Sequence, residues 1–133
     1  MHQPDTQARH SIYYNYKVYP AAPRPASPDQ AKVVVVGAGP IGLFLALDLA
    51  RHGVPSVLLE SEQQVSLGSR AIVFTRRSME ILQQVGGDKD ITAQGLPWRF
   101  GNSFYGGHRV FRMEAPYSED DRFFPMINLQ QQY

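Results

Sequence analysis

The stretch Lys32–Glu60, KVVVVGAGPIGLFLALDLARHGVPSVLLE, decides the fold. It opens with an apolar β-branched run, Val33 to Val36, which lacks alternation and so predicts a parallel strand buried on both faces. A glycine turn follows, Gly37-Ala38-Gly39-Pro40-Ile41-Gly42, and then an apolar segment of helix length, Pro40 to His52. Gly53-Val54-Pro55 breaks that segment, and Ser56 to Glu60 forms a second apolar run ending in an acid. Strand, turn, helix, turn and strand within about thirty residues is the size of a dinucleotide-binding βαβ unit.

Each residue of the turn has a physical task in that reading. Gly37 permits a tight turn off the strand, Gly39 lets a pyrophosphate approach the backbone, and Gly42 lets the helix pack against the strand. Pro40 suits the first helical turn, where a missing N–H costs nothing. The free N–H groups at that helix start, Ile41 among them, favour a bound anion. Glu60 follows Gly42 by 18 residues, near the spacing of an acid that bonds a ribose hydroxyl. Its charge repels a ribose carrying a 2′-phosphate. The competing reading, an ordinary βαβ turn without ligand, leaves the coincidence of strand, Pro40, Gly53 and Glu60 unexplained.

The helix Pro40–His52 shows little polar face, so the sequence predicts that it is largely buried, with Asp48, Arg51 and His52 on its wet side. Beyond Glu60 the chain is polar to Ser69. Arg70-Ala71-Ile72-Val73-Phe74 then leads into a second helix, about Arg76 to Val85, capped by Thr75 and stopped by Gly86-Gly87. Met79, Leu82 and Val85 should face a core. Asp88 to Ala93 reads as a connector with at most one further helical turn. Gly95 to Asn102, with Pro97 and Trp98, reads as loop or edge strand, and Gly106-Gly107 signals a hairpin between short strands at 104–105 and 109–113. Glu119, Asp120 and Asp121 lie in a solvated acidic loop, and Gln130 to Tyr133 looks like a helix start.

Composition narrows the function. The 133 residues suffice for one small domain, and 43% hydrophobic with 19% charged content places the chain among globular proteins. A net charge of +1 and no basic stripe argue against a nucleic-acid partner. With no cysteine, disulfides, thiolate metal sites and cysteine nucleophiles are excluded, and the 4 histidines are scattered without metal-ligand spacing. No apolar run reaches the ~20 residues of a membrane span, and no secretory signal is visible, so the expected location is the cytoplasm. Residues 1–31 read as a Tyr- and Pro-rich extension and linker: Tyr13, Tyr14, Tyr16 and Tyr19 cluster before Pro20, Pro23, Pro25 and Pro28. This segment is expected to be a poorly ordered extension outside the core, or a surface that docks on a partner.

Three segments together resemble the N-terminal part of the FAD-dependent aromatic-ring hydroxylases of the p-hydroxybenzoate hydroxylase type. They are VVVVGAGPIGLFLALDLARHGVPSVLLE, SRAIVFTRRSMEILQQVG and FFPMINLQQQY, spread over Lys32–Tyr133. The resemblance implies an α/β, Rossmann-like βαβ FAD-binding fold over residues 32–133, incomplete and with a few additional short strands. It implies that Gly37, Gly39, Pro40, Ile41 and Gly42 face the FAD pyrophosphate and that Glu60 holds the adenosine ribose. It also implies that Arg70 contacts the flavin and that Gln131, or Gln130 one register away, contacts the flavin side chain. The implied reaction is hydroxylation of a small phenolic or other aromatic substrate, with NAD(P)H reducing the flavin and O₂ supplying the oxygen. No side-chain nucleophile or metal is implied. Members of the family are several times longer, with a second FAD-contacting motif and most of a substrate-binding domain. The chain is therefore expected to be an N-terminal portion, inactive alone, whose partner is a missing C-terminal portion or a second chain. Two other readings remain open: an NAD-dependent or other two-dinucleotide oxidoreductase, and a non-catalytic remnant that binds nucleotide.

Overall fold

The computed structural model describes residues 3–23, 31–68 and 72–133. Two compact units divide the chain, residues 1–69 with 132 and residues 70–131 with 133.

The first unit carries the βαβ motif. Strand β1 (Val33–Val36) and strand β2 (Ser56–Leu59) pair in parallel, in the register Val33 with Ser56 through Val36 with Leu59. Parallel neighbours need a crossover, and helix α1 (Pro40–Arg51) supplies it. The ladder extends past the strand end, where Gly37 N donates to Leu59 O at 2.7 Å. At the far end of α1, Gly53 N donates to Ala50 O and Val54 N to Leu49 O, the paired bonds of a Schellman stop.

Burial differs from the sequence expectation in this unit. Val35 is buried, but Val34 is 60% exposed and Val36 82%. None of the α1 residues is buried, and Ile41, Leu43, Leu45 and Leu47 all lie open. The cause is geometric. Two strands at about 4.8 Å spacing make a ribbon roughly as wide as one helix, so the ribbon covers a single stripe of α1. Alternation along β1 puts Val33 and Val35 on one face and Val34 and Val36 on the other. The helix covers the Val35 face alone.

The amino-terminal extension also departs from expectation. Tyr16 is 4% exposed and meets Tyr14 edge-on at 5.0 Å between ring centroids. Tyr19 N donates to Gln63 O at 2.8 Å, which ties this segment to the loop after β2. Buried backbone polar groups demand partners, and here the loop and the extension supply them to one another. The rest of the Pro-rich linker, residues 24–30, lies outside the described residues.

The second unit has a three-stranded antiparallel sheet in the order β3 (Val73–Thr75), β7 (Met126–Asn128), β4 (Leu96–Trp98). Helices α2 (Arg76–Gln83) and α3 (Asp88–Gln94) lie between β3 and β4 in sequence. Thr75 caps α2 by accepting a bond from Ser78 N, as its position in the sequence predicts. The helix stops two residues earlier than the periodicity suggests, and residues 88–94 form a full helix rather than a connector. Met79 is fully buried and packs with Phe123 and Ile127, flanked by Phe74 and Ile91. Trp98 Nε1 donates to Asn128 Oδ1 at 2.6 Å, pinning the edge strand to the central one.

Strands β5 (Phe100–Tyr105) and β6 (His108–Glu114) form the expected hairpin about Gly106-Gly107, longer than the sequence suggests, with a bulge at Ser103/Phe104. Both turn glycines have positive φ, as a two-residue hairpin loop requires. After β7, Tyr133 N bonds Gln130 O, so Gln130–Tyr133 form a single turn in place of the expected helix.

Candidate functional site

The glycine turn links β1 to α1 and carries the backbone geometry a dinucleotide site needs. Gly37 has φ of +99°, a left-handed conformation that a side chain would strain. Gly42 sits where a Cβ would overlap the Gly37 carbonyl and stand 3.4 Å from Val35 Cγ1. Only a glycine lets α1 begin this close to the strand. Gly39 is the N-cap, with φ of −72° and ψ of 177°, and a Cβ there would meet no atom within 4 Å. Open space therefore lies over the turn at the point where a ligand backbone would approach.

The donors around that space suit an anion. Pro40 occupies the first helical position, no side chain caps the helix start, and its first turn holds no acidic residue. The leading N–H groups of an α-helix have no intrahelical partner, and the helix dipole adds positive potential at this end. Diphosphate oxygens meet both requirements.

Glu60 reaches this turn. Its Oε2 accepts from Ala38 N at 2.6 Å, while Oε1 accepts from Ser61 N at 2.7 Å and Glu62 N at 3.0 Å. The Ala38 bond, with those from Glu62 and Ser61, holds the carboxyl below the usual glutamate range against a small opposing effect of burial. The group is thus a fixed carboxylate beside the glycine turn. Each of its oxygens has two lone pairs, so Oε2 retains capacity for a ligand hydroxyl. Gly37, Gly39, Pro40, Ile41, Gly42 and Glu60 are thereby brought together in the first unit. The turn thus offers open space over Gly39, free helix-start amides and an ionised acid, a set that fits a dinucleotide diphosphate and its ribose.

Arg70 falls outside the described residues. Gln130 and Gln131 follow β7 in the second unit, Gln130 exposed and Gln131 half-buried, while Gln132 is the buried member of the run at 8% exposure. An open groove of about 470 Å³ in the second unit, lined by Pro97, Trp98, Arg99, Phe100, Tyr117 and Phe124, shares no residue with the expected site. Sequence reading missed Ala38, whose side chain is chemically silent and whose role is carried by its N–H. It also missed Gln64 and Arg9, which brace the loop beyond Glu60 and belong to no periodic pattern.

A family model described as an FAD binding domain matches residues 30–132. Para-nitrophenol 4-monooxygenase of Pseudomonas sp. (strain WBC-3) is 32% identical over 102 residues, covering 73% of this chain and 24% of that protein. p-Hydroxybenzoate hydroxylase of Acinetobacter baylyi is 34% identical over 70 residues, 51% of this chain and 17% of the relative. Among solved structures, p-nitrophenol 4-monooxygenase PnpA from Pseudomonas putida DLL-E4 aligns with a TM-score of 0.65 at 35% identity, over 74% of this chain and 26% of that one. The chain thus spans about a quarter or less of the length of these relatives.

Proposed function

Because the chain belongs to the FAD-binding domain family, we propose that its first unit holds the adenosine diphosphate half of FAD for a monooxygenase that hydroxylates a phenolic ring. The observation that carries this reading is the bond from Ala38 N to Glu60 Oε2, which sets an ionised acid against the glycine turn. The family match and the two phenol-acting relatives, named for p-nitrophenol and p-hydroxybenzoate, support the aromatic substrate class.

The chain's own residues divide the binding work. The amides at the start of α1 donate to the diphosphate, and Gly39 keeps the approach open. Glu60 accepts the ribose hydroxyls and repels a 2′-phosphate, since a like charge at contact distance disfavours a second anion. Gln131, with Gln130 beside it, and Arg70 are assigned to the flavin half. FAD, when bound, would supply the redox chemistry of a hydroxylation that draws on NAD(P)H and O₂. No side-chain nucleophile and no metal enters this scheme. The hydroxylation is proposed for a whole protein of the relatives' length, and cofactor binding for the residues of this chain. No helix among the described residues is long and apolar enough to cross a membrane.

Titration calorimetry with FAD and with NAD tests the assignment. FAD binding with little affinity for NAD supports it. Tighter binding of NAD than FAD would assign the same βαβ unit to a nicotinamide-dependent oxidoreductase instead.

A further inference from the structure

The loop after Glu60 is braced from two sides, and the second brace comes from the amino-terminal extension. On the first side, Ser61 N and Glu62 N donate to Glu60 Oε1. On the second, every residue from Glu62 to Val65 meets the extension. Arg9 Nη2 lies 3.7 Å from Glu62 Oε2, and Arg9 Nη1 donates to Val65 O at 3.1 Å. Tyr19 N donates to Gln63 O at 2.8 Å. Gln64 is 8% exposed and spends its amide on the extension backbone. Its Oε1 accepts from Arg9 N at 2.9 Å, and its Nε2 donates to Asp5 O at 3.0 Å and Gln7 O at 2.8 Å. A buried amide with three bonds is costly to disturb, because each lost bond strands a desolvated group.

We propose that residues 3–19 form a strap that positions the Glu60 carboxylate for the ribose, with Arg9 and Gln64 as its positioning residues. The proposal rests on the assignment of Glu60 to the adenosine ribose. The path is short. Arg9 and Gln64 hold Glu62 to Val65, and the Glu62 N–H in turn holds one carboxylate oxygen while Ala38 N holds the other. The segment 61–65 has no regular secondary structure to fix it otherwise. The family model begins its match at residue 30, so the whole strap lies outside the matched residues. Ribose positioning by this route is thus a property of this chain rather than of the βαβ unit. None of the β1–β2 ladder bonds involves the strap, so its release leaves the sheet and helix standing.

The test compares the full chain with Arg9→Ala, Gln64→Ala and Arg9→Lys. Each is titrated with ADP and with 2′-deoxy-ADP, and amide hydrogen exchange is read at Ser61 and Glu62. In the unaltered chain ADP binds more tightly than the deoxy analogue. Arg9→Ala and Gln64→Ala weaken ADP roughly tenfold, the loss of about one hydrogen bond to a charged group. They leave the deoxy analogue nearly unchanged and speed exchange at 61–62. Arg9→Lys, which keeps the charge beside Glu62, restores most of the preference. Equal weakening of both nucleotides, or unchanged exchange at 61–62, overturns the proposal by showing a merely structural contact or none. Should the unaltered chain bind neither nucleotide, the ribose assignment itself falls, and exchange at 61–62 still reports whether the strap holds the loop.

Discussion

Two alanine substitutions three residues apart should separate fold from ligand binding. At Gly42 an added methyl would run into the Gly37 carbonyl, with Gly37 C at 3.1 Å and Val35 Cγ1 at 3.4 Å. The obstacle is backbone, which cannot swing aside as a side-chain end can. Relief requires the start of α1 to lift from β1, and overpacking of this kind costs about 1–3 kcal/mol, here toward or above the upper end. For a chain of this size that lowers Tm by roughly 10 °C. At Gly39 the methyl meets nothing within 4 Å, and the backbone at φ −72°, ψ 177° suits any residue. The unfolded chain loses freedom, so Gly39→Ala stabilises by about 0.4–1 kcal/mol. The same methyl would stand in the open space proposed for the diphosphate. Losing one amide bond to a charged phosphate costs about 1.5–3 kcal/mol, or roughly 10- to 150-fold in affinity. Thermal melts and calorimetric titration with FAD measure both effects. A Gly39→Ala protein that binds FAD as tightly as the parent refutes the pyrophosphate assignment. A Gly42→Ala protein that melts with the parent refutes the close-approach argument.

Other substitutions probe separate parts of the account. Glu60→Gln should weaken ADP and FAD while improving relative tolerance of 2′-phosphorylated nucleotides, measured by competition titration. The Glu60 carboxyl is depressed on folding, so its contribution to stability is complete above the ordinary glutamate range. That contribution is lost as pH falls through the lower folded value. Parent and Glu60→Gln melting temperatures should therefore converge in acid, with a small gap at neutral pH because the group is exposed and screened. Met79→Ala removes the fully buried centre of the second unit and should cost about 2–5 kcal/mol in denaturant unfolding of that unit. Thr75→Ala deletes the α2 cap and should cost about 1 kcal/mol, read in the same titration.

The βαβ unit was legible because its signals are local. The unbroken valines, the glycine spacing, Pro40 and the Gly53 stop each act within one turn or strand, and all point to the same fold. The meeting of the glycine turn and Glu60 was legible for the same reason, since they are joined by a parallel register that the crossover helix dictates. Burial was not legible. The apolar faces of Val34, Val36 and α1 record residue type, whereas exposure depends on how many neighbours arrive, and two strands cover one stripe. The β3–β7–β4 order escaped because it pairs Val73 with Asn128 across more than fifty residues without any local mark. The Gln64 brace escaped because it reads backbone carbonyls, which every sequence possesses. The Arg70 expectation lies outside the described residues.

The central claim is that the glycine turn and Glu60 grip the adenosine diphosphate of FAD. Titrating ADP into isotope-labelled protein and following backbone amide resonances tests it most directly. The largest shifts should fall on residues 37–43 and 60–62, and FMN, which lacks the adenosine half, should leave them in place. Saturating ADP that moves none of these amides, or that moves the second unit most, would contradict it.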